Sequence, residues 1–224
     1  MKTRESGMPE EALWETFFDA RRVLAALGFG NEVRSVAEFG CGYGTFTMAA
    51  AEFGAAVTAL DIDPQMVDRA RARAVAAGLA GVRCELRDFV EHGSGLADDG
   101  VDYVMLFNIL HAAEADRMLA EARRILKPGG LVGVMHWNYD PTTPRGPSMT
   151  IRPRPQDLHH RVLNAGFDRA TEIVDLPPYH YGFAVRKPAL KGLAEAPNSL
   201  PALQAALLWS GISRPPLPPA DPLP

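Results

Sequence analysis

The chain has 224 residues, 47% of them hydrophobic, with a formal net charge of -4 and a sequence pI near 5.9. That length buries one sizeable core with appendages. With 23 Lys+Arg against 27 Asp+Glu there is no basic surplus to track a phosphate backbone, so nucleic acid is not an expected partner. Cys41 and Cys84 form neither a disulfide framework nor a metal-ligand spacing, which suits a reducing cytoplasm. No apolar run has the length of a signal peptide or a membrane span, so no membrane partner is expected.

Large apolar residues (Leu13, Trp14, Phe17, Phe18, Leu24, Leu27) recur at helical spacing, so residues 10–27 read as one amphipathic helix. A buried strand from Arg34 then runs into the turn Gly40-Cys-Gly-Tyr-Gly44, with helix expected over 43–53. A second strand, residues 56–60, delivers Asp61, and Asp63-Pro64 opens a helix to about residue 77 with Asp63 as its N-cap. Strands follow at 82–87 and 101–107, then a helix at 112–126. Lys127-Pro-Gly-Gly130 punctuates the chain before an apolar strand at 131–135.

All but three of the 19 prolines lie at residue 141 or later, so residues 140–155 read as an ordered excursion. A helix at 156–165 and strands at 170–176 and 180–186 close the domain. Beyond Pro188 the pattern predicts one helix near 201–209 and a proline-rich extended end. The expected organisation is a lid-like helical region at 1–30, a domain at 31–187 and a tail at 188–224. Regular βα alternation implies a parallel sheet covered by helices.

The glycine turn carries the chemistry. Gly40, Gly42 and Gly44 permit tight turning and close backbone approach to a ligand, and an acid after the second strand is the usual partner of ribose hydroxyls. A dinucleotide site asks for G-x-G-x-x-G, whereas here Thr45 stands where its third glycine belongs. A glycine-rich turn after any core strand is the plain alternative.

Glu38-Phe-Gly-Cys-Gly-Tyr-Gly44 with Asp61 closely resembles the cofactor signature of the class I S-adenosylmethionine (SAM) dependent methyltransferases. Residues 101–111 and 121–133 resemble the family's fourth strand and its path into the fifth, so the likeness covers about residues 34–136. Asn108-Ile-Leu-His111 lacks the Asn-Pro-Pro-Tyr of the amino-methylating branches and fits the small-molecule branch best. The resemblance implies an α/β, Rossmann-like three-layer sandwich with a seven-stranded, mostly parallel sheet and an antiparallel last strand. It implies SAM as cofactor, held by Glu38, Gly40, Cys41, Gly42, Gly44, Asp61, Ile62, Asp88, Phe89 and Asn108. Asp88 can instead cap the following turn, and Phe89 can be core.

Ligands of such sheets bind outside the carboxyl ends of the parallel strands. His111 lies past the fourth strand and His136 past the fifth, and both are candidate catalytic bases. Tyr139, Arg145, Arg152, His180 and Tyr181 are candidate acceptor contacts, the arginines as a clamp for an anionic or zwitterionic metabolite. The competing explanation has both arginines binding loop carbonyls. No metal site is expected, because the three rim histidines lack ligand spacing. A non-catalytic SAM-binding partner protein is the alternative function, and a homodimer stays open.

Overall fold

The computed structural model describes residues 9–189, so the expected helix at 201–209 and the proline-rich end lie outside the described residues. One sheet organises them, in the order β3-β2-β1-β4-β5-β8-β6. Its parallel strands are β1 (Ser35–Phe39), β2 (Ala56–Asp61), β3 (Val82–Leu86), β4 (Val101–Phe107) and β5 (Leu126–Trp137). The last strand, β8 (His180–Arg186), runs antiparallel along β5, pairing Leu131 with Arg186 and Trp137 with His180. Strand order reverses between β1 and β4, which leaves a crevice at their carboxyl ends.

The edge strand expected at 170–176 is two short pieces, β6 (Asp168–Arg169) and β7 (Val174–Leu176). Both pair with β8, but the register slips by two residues between Arg169↔Val185 and Val174↔Gly182. The amides of Ala170 and Thr171 both reach the Ala184 carbonyl, the mark of a bulge. The sheet of eight strands is therefore a seven-stranded one with a broken edge.

Helices α3 (Thr45–Glu52), α4 (Pro64–Ala76), α5 (Phe89–His92), α6 (Ala115–Ile125) and α7 (Pro155–Asn164) fill the crossovers and cover the sheet. Asp63 caps α4 as its position predicts, accepting from the Gln65 amide at 2.8 Å. The residues expected to turn before β5 instead continue it. Gly129 takes φ +82°, and a Cβ at Gly130 would meet the Asp102 carbonyl oxygen at 2.9 Å, so only this glycine pair lets the chain hug β4.

The amphipathic helix expected over 10–27 is broken. It consists of α1 (Glu11–Trp14), a 3₁₀ turn (Glu15–Phe17) and α2 (Ala20–Ala26), with Phe18 extended at φ -142°. Asp19 restarts the helix by accepting from the Arg22 amide. The break sends neighbouring rings to different places: Phe17 packs on Trp137 and Tyr179, Phe18 on Phe46 and His180.

Alternation along the strands divides the core in two. Val104, Leu106, Val132, Val134, Tyr181 and Phe183 pack with α6 and α7, while Tyr103, Met105, Phe107 and Met135 pack with α2 and α3. By the same parity His136 shares a face with Tyr181, and Trp137 shares the opposite face with His180.

Candidate cofactor and acceptor site

The turn after β1 is built from backbone. Gly40, Gly42 and Gly44 all take positive φ, at +76°, +51° and +79°, where a side chain would be strained. The amides of Gly40 and Cys41 both donate to the Leu60 carbonyl, which ties the turn to β2. Asp61 completes it: its carboxylate accepts from the Gly42 amide at 2.8 Å and the Asp63 amide at 3.0 Å. Burial raises the Asp61 pKa, and these amide bonds oppose the rise. Gly44 has a packing duty as well, since a Cβ there would press on Ala70 and Met48 at 3.1 Å.

A cleft opens over this turn, lined by Trp14, Glu38, Gly40, Cys41, Gly42, Thr45, Phe46, Phe107, Asn108 and Ile109. A Cβ at Gly40 would come within 3.1 Å of Ile109 Cγ2, so the approach is one that only glycine leaves open. Asn108 holds a positive φ of +58°, and both its amide oxygen and nitrogen are buried without a hydrogen-bond partner. An orphaned amide in a cleft asks for a polar ligand. Glu38, also in the lining, is buried and bonded to the Thr47 hydroxyl, and desolvation pushes its pKa up to about 8. A polar group with amine and cationic character fits this set.

The N-terminal segment forms part of the cleft, which the sequence reading placed only as a lid. Trp14 Nε1 donates to the Thr45 hydroxyl at 3.1 Å, and that hydroxyl donates to Glu15 at 2.9 Å. Arg73 on α4 meets Glu15 at 2.7 Å and Glu11 at 3.3 Å, Arg69 meets Glu11 at 2.6 Å, and Tyr43 donates to the Pro9 carbonyl. Trp14, Thr45 and Arg73 were not singled out in sequence because their partners lie about thirty or more residues away. The signal available was the acidic pair Glu11 and Glu15 at helical spacing, facing a basic run on α4.

Asp88 and Phe89 show the alternative readings, cap and core. Asp88 caps α5, accepting from the Glu91 amide at 3.0 Å, and Phe89 packs on Phe39 at 4.8 Å between ring centroids. Ile62 follows Asp61 into the loop before α4 and is half-buried. Cys41 is buried, and burial with the nearby acids pushes its thiol far up, so it is no nucleophile.

At the far rim two of the candidate bases meet. His111 Nδ1 lies 3.3 Å from His136 Nε2. His180 does not join them, since it lies on the opposite face against Trp137 at 4.2 Å and Phe18 at 4.7 Å. The expected convergence of three histidines is therefore a pair and a separate ring. Burial lowers the pKa of all three, that of His180 to about 3.

Arg152 is not available as an anion clamp. Its guanidinium donates to the carbonyls of Asn138, Asp140, Arg145 and Pro147 and to the Thr143 hydroxyl, holding the 140–155 excursion together. A buried cation surrounded by carbonyls is a loop staple, the alternative left open in the sequence. Arg145 is exposed and contributes its own carbonyl to that staple. Tyr139 stacks under Arg154 at 4.1 Å, and Tyr181 donates to the Pro153 carbonyl at 3.1 Å while its ring faces His136.

Residues 36–130 match the family described as "Methyltransferase domain". An uncharacterized protein of Mycobacterium tuberculosis is 32% identical over 53% of this chain and 42% of its own length. A sterol 24-C-methyltransferase of Neurospora crassa is 31% identical over 59% of the chain and 36% of its own, and a tRNA 5-carboxymethoxyuridine methyltransferase of Escherichia coli 28% over 61% and 51%. The matched stretch spans 36% to 51% of the length of these relatives. The fold is shared with a SAM dependent methyltransferase from Aquifex aeolicus, with a TM-score of 0.68, 22% identity, and cover of 76% of this chain and 90% of that one. The motif and the strand order agree with these matches: residues 36–130 are similar to the methyltransferase-domain family, and the fold is one shared with a SAM dependent methyltransferase.

Proposed function

We propose that this protein transfers the methyl group of SAM to a small-molecule acceptor that enters at the carboxyl ends of β4 and β5. The observation that carries the reading is the cleft over the glycine turn, with both Glu38 and the unpartnered Asn108 amide in its lining. SAM supplies an already activated methyl group, so the residues around it need to bind, orient and exclude water.

In this reading Gly40, Cys41 and Gly42 bring backbone close to the cofactor, and Asp61 serves its ribose while bracing the turn. Gly44 opens α3 beside it, and Ile62, Asp88 and Phe89 border the adenine side. Glu38 and Asn108 face the amino-acid end, where a carboxylate and an amide suit an ammonium group. Trp14 closes the cleft from the N-terminal segment. The acceptor side is assigned to Tyr139 and Arg145 with the histidine pair, while His180 and Tyr181, expected there from the sequence, are buried and taken up by packing. An anionic or zwitterionic acceptor would be met by Arg145 rather than by Arg152.

The likeness to a tRNA methyltransferase supports a second reading, in which the acceptor is a nucleic-acid base. The acidic balance and a cleft lacking a basic lining side chain favour the small molecule. Calorimetry with S-adenosylhomocysteine, followed by label transfer from methyl-labelled SAM to small-molecule and tRNA pools, separates the readings. Label in tRNA alone would move the assignment to nucleic acid, and binding without any transfer would favour a SAM-holding partner protein.

A further inference from the structure

Two neutral imidazoles in hydrogen-bond contact at the acceptor rim are an unusual use of buried space. His136, one residue before the end of β5, has 0% of its surface exposed, and its Nε2 lies 3.3 Å from Nδ1 of His111 in the loop after β4. His111 is only half-buried, and it stands two residues beyond Ile109 in the cleft lining. One ring therefore reaches the rim while the other is fixed behind it.

From this geometry we infer that His111 is the general base of the reaction, held by His136 as a positioning residue, and that the acceptor presents a weakly acidic hydroxyl of the phenol or enol kind. The inference rests on the methyl-transfer reading above. The tautomers follow from the pairing. For His111 Nε2 to accept a proton, its Nδ1 must carry the other hydrogen and donate it to His136 Nε2, which fixes His136 as the Nδ1–H form. His136 then does for His111 what a carboxylate does in a catalytic triad, without a charge. The acceptor O–H passes its proton to His111 Nε2. Its oxygen forms the new bond to the methyl carbon as the carbon–sulfur bond breaks, the electron pair staying on sulfur as a neutral thioether. His111 afterwards loses the proton to solvent.

The surroundings keep both rings neutral at rest. Burial, the Arg152 charge and, for His136, the neighbouring His111 and His180 disfavour protonation, while the Asn108 carbonyl favours it on His111 and a Trp137 backbone bond on His136. Tyr181, 6.3 Å from His136 between ring centroids, has its own hydroxyl bonded to Pro153 and adds no charge. An imidazole base deprotonates phenols and enols far better than alkanols, which sets the acceptor class.

Purified full chain with methyl-labelled SAM and a series of phenols graded in acidity tests this. Wild type should label phenol oxygens, with kcat rising through an inflection below pH 6.5 and flat above pH 7. His111→Ala should lower kcat at least about a hundredfold for weakly acidic phenols, and the deficit should shrink to within about threefold for 4-nitrophenol, which is largely ionised at pH 8. His136→Leu should lower kcat about tenfold and move the inflection to lower pH, because the protonated His111 loses its acceptor, and His136→Gln should restore part of the rate. S-adenosylhomocysteine affinity should stay constant throughout. A wild type that binds S-adenosylhomocysteine yet labels no phenol overturns the inference, as does a His111→Ala deficit equal for ionised and un-ionised phenols. Absence of S-adenosylhomocysteine binding by wild type fails the reading beneath it, and this inference with it.

Discussion

The end of the crevice at β1 and β2 is made of backbone, and the end at β5 and β8 is made of side chains. Around Gly40 to Gly44 the contacts are amides on the Leu60 carbonyl and on Asp61, all within a short stretch of chain. Around Trp137 and His180 they are rings from the strand ends and the N-terminal segment, and beside them a guanidinium staples a loop. The first kind of site tolerates little change and takes one ligand. The second can be rebuilt by new side chains without touching the sheet, as expected where a shared cofactor meets varied acceptors.

The sharpest way to break the comparison is at Asp61. If the turn and the ribose both depend on its carboxylate, Asp61→Ala should weaken S-adenosylhomocysteine binding by about 2–4 kcal/mol. The structure adds a cost to stability, because the Gly42 and Asp63 amides lose their acceptor. Asp61→Asn keeps an oxygen for one of them and should fall between. Wild-type affinity in a folded Asp61→Ala protein would show that the turn alone makes the site.

Arg152 tests the other end. Replacing it with Met should lower unfolding free energy by about 2–3 kcal/mol, since several buried carbonyls lose their donor at once. Cofactor affinity should not change. A normal melting temperature together with a raised KM for an anionic acceptor would reinstate the clamp that the loop geometry argues against.

The same contrast explains what could be read in advance. Positive φ at glycines, a capping Asp63 and apolar strands are local, so the turn and the parallel strands were legible from the residues, and the antiparallel last strand came with the family resemblance. Pairings across long loops were not. Nothing near Arg152 in sequence says that its guanidinium closes on Asn138 and Asp140, and beside Phe18 the local sign of a break is Asp19, a capping residue inside an apolar helical pattern. The His180 placement was readable in principle: strand alternation puts it on the face opposite His136 once the register Trp137↔His180 is known.

Trp14 joins the two ends, and its contribution should be intermediate. Trp14→Leu keeps apolar bulk but removes the Thr45 bond and the indole wall, so S-adenosylhomocysteine affinity should drop about tenfold with little loss of stability. The ion pairs that fasten this segment, Glu11 and Glu15 on Arg69 and Arg73, are partly exposed, so raising salt from 0.05 to 0.5 M should weaken cofactor binding only about twofold. Equal affinity in Trp14→Leu would reduce the segment to core packing.

At Glu38 it is the sign of the effect that is informative. Burial raises its pKa from 4.5 to about 8, so the folded protein without ligand holds it mostly protonated at pH 7, whereas the unfolded chain ionises it. Stability should be full below pH 4.5 as far as this group is concerned, and should decline as pH rises from there to about 8. Glu38→Gln, which copies the protonated form, should match wild type below pH 4.5, remove that part of the slope and so be the more stable of the two at pH 7. A cationic ligand reverses the preference, since a sulfonium and an ammonium nearby favour the carboxylate. SAM binding near pH 7 should therefore release close to one proton, seen as a dependence of the binding enthalpy on buffer ionisation enthalpy, and affinity should rise with pH up to about 8. Glu38→Gln should abolish both. A buffer-independent enthalpy in wild type would place Glu38 away from the charged end of the cofactor and leave Asn108 as the only polar contact argued for it.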